Sequence, residues 1–371
     1  MKLFSIVGAR PQFIKIAPIC RAIASQNEDS QVLDDVIIHT GQHYDPSMSD
    51  IFFDELNIPK ADFHLGVGSG AHGAQTGLML QKLEELMLSQ KPDMVVIYGD
   101  TNSTVAGALA AAKLHIPIAH IEAGLRSFNR KMPEEVNRIV ADHISDMLLA
   151  PTPTAISNLK KENLAERTIY SGDIMHDAVI YNCKLAEEKS SILKDLSLAK
   201  KDYAIVTIHR AENTDDTERL ESILTSLNEI AEDGLQLVFP IHPRTKKTIS
   251  AQFPDWKPSA KLNMIEPVGY LDMLQLVGNA RVALTDSGGL QKETFFLNCP
   301  CITLRDETEW VETVDGGGNI VTGVNKDKII EAVTYWINKT EKEDVDFTAQ
   351  ASKAFGEGNS ADRIIQAILD Y

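Results

Sequence analysis

The sequence lacks the features by which secreted and membrane-spanning proteins are recognised. Its 371 residues contain four scattered cysteines, and the pair Cys299 and Cys301 does not have the spacing of zinc ligands. No stretch approaches the roughly 20 apolar residues that a bilayer-spanning helix needs. The first residues lack the basic segment, apolar core and cleavage site of a signal peptide. We therefore expect a cytoplasmic protein with reduced, unpaired thiols.

A basic surface is also missing. The chain has 36 Lys and Arg against 53 Asp and Glu, which gives a formal net charge of -17. Nucleic acids and anionic membranes are bound by basic fields, so we expect neither as a partner. A nucleotide ligand stays possible, because a few local cations or backbone N–H groups can hold one diphosphate.

Cofactor signatures are absent as well. The glycine fingerprint G-x-G-x-x-G, which binds dinucleotides, does not follow the first apolar run of the chain. No set of His, Cys and carboxylate residues has the close spacing of metal ligands. We therefore expect no nicotinamide, flavin or metal ion.

The pattern that is present alternates short β-branched runs with amphipathic stretches, which is typical of α/β units around parallel sheets. The first half predicts the strands Leu3–Val7, Val36–Thr40, Met94–Tyr98, Ile118–Ile121 and Met147–Ala150. It predicts the helices Phe13–Ala24, Thr76–Leu88, Ser103–Leu114 and Glu134–Ile144.

A second series of the same kind follows Ile169–Ser171. Its predicted strands are Ala204–Ile208, Leu237–Pro240, Met264–Glu266, Val282–Thr285 and Cys301–Thr303. Its predicted helices are Asp216–Glu232, Tyr270–Gly278 and Gly289–Phe296. The length of the chain also favours two domains. We predict an α/β fold of two Rossmann-like domains, residues 1–170 and 171–358, with a C-terminal helix at 359–371 that packs back toward the first domain.

Polar clusters follow the predicted strands, where open α/β sheets bind their ligands. Arg10 and Lys15 flank the start of the first helix, a position that favours an anion such as a diphosphate. Solvated cations at an ordinary strand-to-helix turn are the alternative. His43 lies in a polar run after the second strand, as an acid–base group or as a hydrogen-bonded loop residue.

Carboxylates follow the third and fourth predicted strands. Asp100 begins a helix, so it is either an N-cap or a group that faces the ligand. Glu122 ends an apolar strand, where a carboxylate needs a partner, and Arg126 is the candidate. Glu134 and Glu135 follow Pro133 at a helix start, where the helix dipole alone could account for them. We favour general acid–base roles for Glu122 and Glu134.

Two clusters in the second half suit a nucleotide. His209 and Arg210 follow a strand: His209 could donate a proton to a leaving phosphate, and Arg210 could bind that phosphate. His242 follows the next strand and is a weaker candidate. Ser287, Gly288 and Gly289 present backbone N–H groups at a helix start, and Glu293 could accept from ribose hydroxyls one turn later. The alternative for the first cluster is that these are ordinary solvated loop residues. The alternative for the second is that its residues only cap the helix.

Taken together, the blocks from Gly8 to Glu312 resemble the non-hydrolysing UDP-N-acetylglucosamine 2-epimerase family. The resemblance implies the glycosyltransferase B-type fold, in which two Rossmann-like domains face a cleft, and a homodimer. It implies a UDP-sugar substrate, with catalytic roles for Asp100, Glu122, Glu134 and His209. It implies a UDP site in the second domain with Arg10 nearby, and Lys15, Arg138 and Arg210 also match positions of the family.

Some blocks depart from the family's commoner pattern. The first block has Ala9 where Thr is usual and Gln12-Phe13 where Glu-Ala is usual, and the late loop reads Glu307-Thr308-Glu309-Trp310-Val311-Glu312. These blocks, with GQHYD and SFNRKMPEE, look more like the branch that acts on UDP-2,3-diacetamido-2,3-dideoxy-glucuronate. We therefore expect inversion of carbon 2 in a UDP-N-acetyl-sugar by elimination and readdition of UDP. A retaining UDP-sugar glycosyltransferase of the same fold and a non-catalytic UDP-sugar sensor are the alternatives.

Overall fold

The structure, a computed structural model, describes residues 1–42, 53 and 55–371. The described residues form two compact units, Met1–Ile180 with Ser352–Tyr371, and Tyr181–Ala351. Each unit is built on a parallel sheet, which confirms the predicted fold class of two Rossmann-like α/β domains. The predicted domain limits at residues 170 and 358 stay predictions.

Seven strands form the sheet of the first unit within the described residues, in the order β3-β2-β1-β4-β5-β6-β7. They are Lys2–Val7 (β1), Asp34–His39 (β2), Phe63–His64 (β3), Met94–Tyr98 (β4), Ile118–Ile121 (β5), Met147–Ala150 (β6) and Thr168–Tyr170 (β7). All pairs are parallel; for example, Phe4 of β1 lies between Val36 and Val95 of its neighbours. The central strands β1, β4, β5 and β6 are almost wholly buried because helices cover both faces of such a sheet.

Helices connect these strands. They are Arg10–Gln26, His72–Gln90, Asn102–Lys113, Pro133–Ile144, Pro153–Lys161, Ile174–Lys189, Thr348–Phe355 and Ser360–Asp370, with a 3-10 turn at Ala165–Arg167. The helix Ile174–Lys189 contains the division between the two units, and Thr348–Phe355 contains the second division. The C-terminal helix Ser360–Asp370 packs against Arg10–Gln26, which belongs to the same unit.

The first helix begins at Arg10, three residues before the predicted start at Phe13. Its cap is unusual, since Ala9 has no polar side chain to accept from the first backbone amides. The side chain of Gln12 accepts instead, from the N–H groups of Gly8 at 2.8 Å and Ala9 at 3.0 Å. Pro11 in the first turn has a φ angle that already suits a helix. These local contacts, which periodicity does not reveal, start the helix early.

Six strands form the sheet of the second unit, again among described residues, in the order β10-β9-β8-β11-β12-β13. They are Tyr203–Thr207 (β8), Gln236–Pro240 (β9), Leu262–Ile265 (β10), Val282–Thr285 (β11), Cys301–Thr303 (β12) and Asn319–Val321 (β13). The helices are Ile192–Asp195, Ala211–Thr214, Thr217–Glu232, Pro243–Gln252, Tyr270–Asn279, Gly288–Phe296, Val311–Asp315 and Lys326–Thr340.

Apolar side chains from strands and helices form the core of each unit. In the first unit Phe4, Ile97 and Ala106 are fully buried between β1, β4 and the helix Asn102–Lys113. In the second, Tyr203 and Leu276 are equally buried, and the Tyr203 hydroxyl donates to the Leu276 carbonyl at 2.5 Å. Burying one large apolar side chain contributes about 1.5–3 kcal/mol, so these layers fix the strand ends that carry the polar loops.

None of the helices in the described ranges is long and apolar enough to cross a membrane.

Candidate active site

The predicted site residues of the first unit gather at the carboxyl ends of three adjacent strands. Gly8 follows β1, Gly99 follows β4 and Glu122 follows β5. From β1 the chain adds β2 and β3 on one side of the sheet and then adds β4 to β7 on the other side. The gap between β1 and β4 is therefore the switch point at which doubly wound sheets bind ligands. The sequence therefore places its polar loops at the expected edge.

Close packing holds these loops together. A Cβ atom on Gly8 would lie 2.0 Å from Thr40 Oγ1 and 2.3 Å from Ser103 Oγ, so only glycine fits there. The backbone N–H and hydroxyl of Ser103 donate to Gln42 Oε1 at 3.0 and 2.8 Å. The loops after β1, β2 and β4 are thus joined. His43, next along the chain, lies outside the described residues, and its role stays a prediction.

Lys15 and Glu122 form a buried ion pair. Lys15 Nζ lies 2.5 Å from Glu122 Oε1, and the two side chains are 9% and 7% exposed. A Cβ atom on Gly99 would lie 3.0 Å from Lys15 Nζ, so the glycine leaves room for the pair. The expectation that Glu122 pairs with Arg126 is wrong for this structure. Arg126 instead binds Asp142 and Glu162, because its loop carries it away from the ligand edge.

Glu122 also has an uncommon backbone conformation. Its φ angle is 72°, in the left-handed region that non-glycine residues seldom adopt. The N–H groups of Glu122 and Ala123 both donate to the carbonyl of Leu149, each at 3.1 Å. Strain of this kind clusters at functional sites and persists only where the surroundings enforce it. The turn therefore fixes where the Glu122 carboxylate points.

Asp100 is bound by Arg138. Nη2 of Arg138 donates to Asp100 Oδ2, and Nη1 donates to Glu135 Oε2 at 2.9 Å. The N-cap of the helix Asn102–Lys113 is Thr101, whose hydroxyl accepts from Thr104 N, so Asp100 does not cap the helix. The Asp100 side chain is 26% exposed. The sequence left open whether Asp100 is an N-cap or a group that faces the ligand, and the structure excludes the N-cap.

The two adjacent glutamates of the next helix have different surroundings. Glu135 is buried and accepts from the backbone N–H groups of Ser127 and Phe128, both at 2.9 Å, which holds the preceding turn. Glu134 is partly exposed. Within the part of the chain that the structure describes, the side chain of Glu134 makes no hydrogen bond or ion pair. Glu135 is therefore structural, and Glu134 remains available for a ligand.

In the second unit a buried carboxylate holds the loop after β8. Asp286 is fully buried and accepts from the backbone N–H groups of His209 at 3.1 Å and Arg210 at 3.0 Å, and from Asn213 Nδ2 at 3.2 Å. Its Oδ1 also lies 3.3 Å from His209 Nδ1, while the His209 side chain is 47% exposed. Asp286 thus orients an exposed imidazole. Sequence reasoning gave it no role, although it begins the Ser-Gly-Gly block.

The Ser287–Gly289 segment starts the helix Gly288–Phe296 as predicted. Ser287 is its N-cap, and its hydroxyl accepts from Leu290 N at 3.4 Å. A Cβ atom on Gly288 would lie 2.4 Å from Glu309 Oε1, whereas the nearest atom to one on Gly289 is 3.9 Å away. Gly288 is therefore packed tightly and Gly289 lies open. Backbone N–H groups at such a helix start favour an anion.

Two cations surround Glu309 beside this helix start. Arg305 Nη1 lies 2.8 Å from Glu309 Oε2, and Arg210 Nη2 lies 4.0 Å from Glu309 Oε1. Lys292 of the same helix is buried, with Nζ 3.7 Å from the centre of the Trp310 ring. The late charged loop thus packs on the helix that begins at Gly288, and sequence reasoning missed this role of Glu309.

The other predicted residues lie at helix starts or within a helix. Arg10 is partly exposed at the first position of its helix, and Glu293 is buried in the helix Gly288–Phe296. His242 is the N-cap of Pro243–Gln252 and accepts from Arg244 N at 3.2 Å. The described residues contain no group of three or more His, Cys, Asp or Glu that could hold a metal ion.

The two units therefore offer different chemistry. The first carries three carboxylates, Asp100, Glu122 and Glu134, on neighbouring loops of one sheet edge, which suits proton transfer. The second carries an exposed histidine oriented by a buried aspartate and a glycine-rich helix start, which suits a phosphate group.

Comparison with known proteins decides the family. The sequence model of the UDP-N-acetylglucosamine 2-epimerase family matches residues 25–369. The chain belongs to this family. Its members are isomerases that act on carbohydrates, and so is this enzyme.

Its relatives include proteins with two different substrates in their names. A UDP-N-acetylglucosamine 2-epimerase homolog of Methanococcus maripaludis is 50% identical over 371 residues, 99% of each chain. The UDP-2,3-diacetamido-2,3-dideoxy-D-glucuronate 2-epimerase of Pseudomonas aeruginosa is 46% identical, also over 99% of each. A solved structure of Methanocaldococcus jannaschii UDP-GlcNAc 2-epimerase, in complex with UDP-GlcNAc and UDP, has a TM-score of 0.90 and 46% identity over 100% of both chains.

Proposed function

We propose that this epimerase inverts carbon 2 of a UDP-linked 2-acetamido sugar by eliminating UDP and adding it back. The observation that carries the proposal is the buried Lys15–Glu122 pair beside Asp100, at one edge of the first sheet. Lys15 fixes Glu122 and Arg138 fixes Asp100, so two carboxylates are held on adjacent loops, as an enzyme that removes and returns a proton requires.

The carboxylates of the first unit would exchange the proton. Glu122 is held by Lys15 and by its strained turn, and Asp100 is held by Arg138. Glu134 lies partly exposed at the start of the next helix. We assign acid–base roles around the sugar to these three residues, with Lys15 and Arg138 as the groups that orient two of them.

The polar groups of the second unit would hold UDP. The amides of Ser287, Gly288 and Gly289 would bind phosphate oxygens, and Glu293 would accept from the ribose. His209, oriented by Asp286, would stabilise or protonate the leaving diphosphate. Arg10, Arg210, His43 and His242 complete the proposed substrate-binding set.

The proposed reaction balances without an outside reactant. The bond between carbon 1 and the UDP oxygen breaks, and UDP leaves with both electrons. As positive charge develops at carbon 1, a carboxylate removes the proton from carbon 2, which gives a 2-acetamidoglycal. A carboxylic acid then returns a proton to the opposite face of carbon 2, and the UDP oxygen bonds again to carbon 1.

We further propose UDP-2,3-diacetamido-2,3-dideoxy-glucuronate as the substrate, in a cytoplasmic homodimer that serves polysaccharide synthesis. Blocks such as GARPQFIK and RDETEWVE favour that branch, and the Pseudomonas aeruginosa relative carries that substrate in its name. Arg130 and Lys131 are exposed on the loop that precedes the helix of Glu134, and either could bind a carboxylate on carbon 6.

The test is proton NMR in heavy water with UDP-N-acetylglucosamine and the diacetamido-glucuronate offered separately. We expect the manno epimer of the glucuronate with deuterium at carbon 2. An epimer that keeps its original hydrogen would overturn the elimination route. Faster turnover of UDP-N-acetylglucosamine would overturn the substrate assignment. Arg130→Ala and Lys131→Ala should raise KM for the glucuronate only, with Lys160→Ala, an exposed lysine on the helix Pro153–Lys161, as the control.

A further inference from the structure

His120 is a fully buried histidine on β5 whose two ring nitrogens both have partners. Nε2 lies 2.7 Å from the carbonyl oxygen of Gly99, and Nδ1 lies 2.7 Å from Asp142 Oδ1. A backbone carbonyl can only accept a hydrogen bond, so Nε2 must carry a proton.

The second nitrogen also donates, because Asp142 is an ionised acceptor. Its Oδ2 accepts from Arg126 Nη1 at 2.7 Å and from the N–H of Gly124 at 3.1 Å. The guanidinium of Arg126, which lies 2.7 Å from Asp142 Oδ2, favours the ionised form of this carboxyl group. An ionised carboxylate has no proton to donate, so the proton between it and His120 belongs to Nδ1.

We infer that His120 is a buried, doubly protonated imidazolium ion that positions the two turns carrying Asp100 and Glu122. This inference deepens the proposed function, since those turns hold the proposed acid–base carboxylates. His120 itself touches neither carboxylate in the contacts above and acts through the backbone.

The charges around His120 balance. Arg126 binds Asp142 on one side and Glu162 on the other, with two hydrogen bonds to Glu162 at 2.7 and 2.8 Å. Burial disfavours the guanidinium charge, but Glu162 and Asp142 raise the pKa of Arg126 above its ordinary value. His143 lies 3.8 Å from Glu162. Two buried cations thus face two carboxylates, an arrangement in which neither sign is left unpaired.

The contacts of this pair reach the backbone of both turns. His120 holds the carbonyl of Gly99, which directly precedes Asp100 and has a positive φ of 61°. Asp142 holds the N–H of Gly124, two residues beyond Glu122. On the ligand side of Gly99 lies the Lys15–Glu122 pair. One imidazolium–carboxylate pair therefore ties the turn after β4 to the turn after β5.

Nitrogen NMR of the histidine-labelled protein tests the charge state directly. At neutral pH we expect both ring nitrogens of His120 to carry protons, because each faces a hydrogen-bond acceptor. Asp142→Asn removes the counter-charge, so the doubly protonated signal should disappear at that pH. Asp146→Asn is the matched control, because Asp146 caps the N–H of Ile118 at the opposite end of β5 and should leave the signal intact. His120→Gln identifies the resonance.

Kinetics test the positioning role. Asp142→Asn and His120→Gln should each lower kcat about 10- to 100-fold while KM changes less than about twofold, because misplaced catalytic groups affect turnover more than binding. The glutamine can still donate to Gly99, so its loss should be smaller than that of His120→Ala. Asp146→Asn should keep the parent kcat. A purely structural histidine would lower the yield of folded enzyme and leave kcat per folded molecule unchanged.

A single protonated nitrogen on His120 at that pH would overturn the imidazolium. Unchanged kcat in Asp142→Asn would overturn the positioning role, even if His120→Gln failed to fold. A parent enzyme that epimerises nothing would contradict the proposed function instead, and the histidine spectra would still judge the imidazolium.

Discussion

Carboxylates have opposite roles at the carboxyl edges of the two sheets: in one they are held by cations, and in the other a carboxylate holds the loop. In the first sheet the carboxyl end carries carboxylates that cations hold in place, Glu122 by Lys15 and Asp100 by Arg138. In the second sheet the carboxylate of Asp286 is buried and accepts from backbone N–H groups, while the side chain of His209 next to it is exposed.

The difference shows how one folding pattern can serve two kinds of chemistry. A carboxylate held by a cation keeps its position, which suits a group that must exchange protons with one carbon atom. A loop held from below by a carboxylate presents histidine and amide donors outward, which suits an anion. Substitutions at either edge test this division of work.

Glu122→Gln should abolish the proton chemistry of the first sheet. We expect kcat to fall about 10²- to 10⁴-fold, the range for loss of a general acid or base, with UDP affinity nearly unchanged. Solvent deuterium entering carbon 2 measures the first quantity, and calorimetric titration with UDP measures the second. Glu166→Gln, on the exposed 3-10 turn, is the control. Full exchange in Glu122→Gln would refute the carboxylate assignment.

Asp35→Asn tests the opposite, amino edge of the first sheet, where a half-buried carboxylate lies among like charges. Burial, with Asp62 and Asp34 nearby, raises the pKa of Asp35 to about 6 although Ser5 donates to it at 2.6 Å. The folded state therefore holds its proton more tightly than the unfolded state, and stability falls as pH rises from about 4 to about 6. At pH 7 the asparagine variant should gain up to about 3 kcal/mol of unfolding free energy.

The gain from Asp35→Asn should vanish below about pH 4, where the folded and unfolded wild-type chains are both protonated at this position. Urea midpoints at the two pH values measure it. Asp29→Asn, an exposed change near the same strand, should show no such pH dependence. An equal gain at both pH values would show that the ionisation of Asp35 is not its cause.

Asp286→Asn should damage the second sheet's loop. The amide nitrogen cannot accept, so the N–H groups of His209 and Arg210 lose part of their support. We expect UDP affinity to fall about 10- to 100-fold, as for loss of charge-assisted hydrogen bonds worth about 1.5–3 kcal/mol. Titration calorimetry measures it, with Asp306→Asn as the exposed control. Parent affinity would mean that this loop does not bind the nucleotide.

Gly288→Ala and Gly289→Ala form a matched pair with the smallest effects. The first places a Cβ atom 2.4 Å from Glu309 Oε1 and should cost about 1–3 kcal/mol of stability through overpacking. The second meets nothing closer than 3.9 Å and should not destabilise the helix, but should weaken UDP binding about tenfold by blocking close approach of phosphate. Thermal melting and UDP titration separate them. Equal UDP affinity in Gly289→Ala would contradict a phosphate at this helix start.

Local pattern predicted much of the fold. The ten strand predictions rest on short apolar β-branched runs, and some of them, such as Ile118–Ile121 and Val282–Thr285, have the predicted bounds. The two-residue strand Phe63–His64 and the short strand Asn319–Val321 were not predicted. They are too brief to show a period, and pairing with a neighbouring strand defines them.

The site was harder to predict, because its contacts join residues far apart in the chain. The pairing of Lys15 with Glu122 spans 107 positions, and nothing in either block indicates it. Arg126 looked like the partner of Glu122 because it is near in sequence, yet the turn directs it to Asp142. Sequence chemistry thus identified which side chains are unusual, whereas the fold determined which of them meet.

The left-handed backbone of Glu122 has a consequence for how the reaction would start. Such a conformation costs a non-glycine residue roughly 1–2 kcal/mol, and this cost is already met when the protein folds, before any ligand binds. The carboxylate is then oriented before any ligand binds, so in the proposed reaction no part of the substrate's binding energy would be needed to orient it.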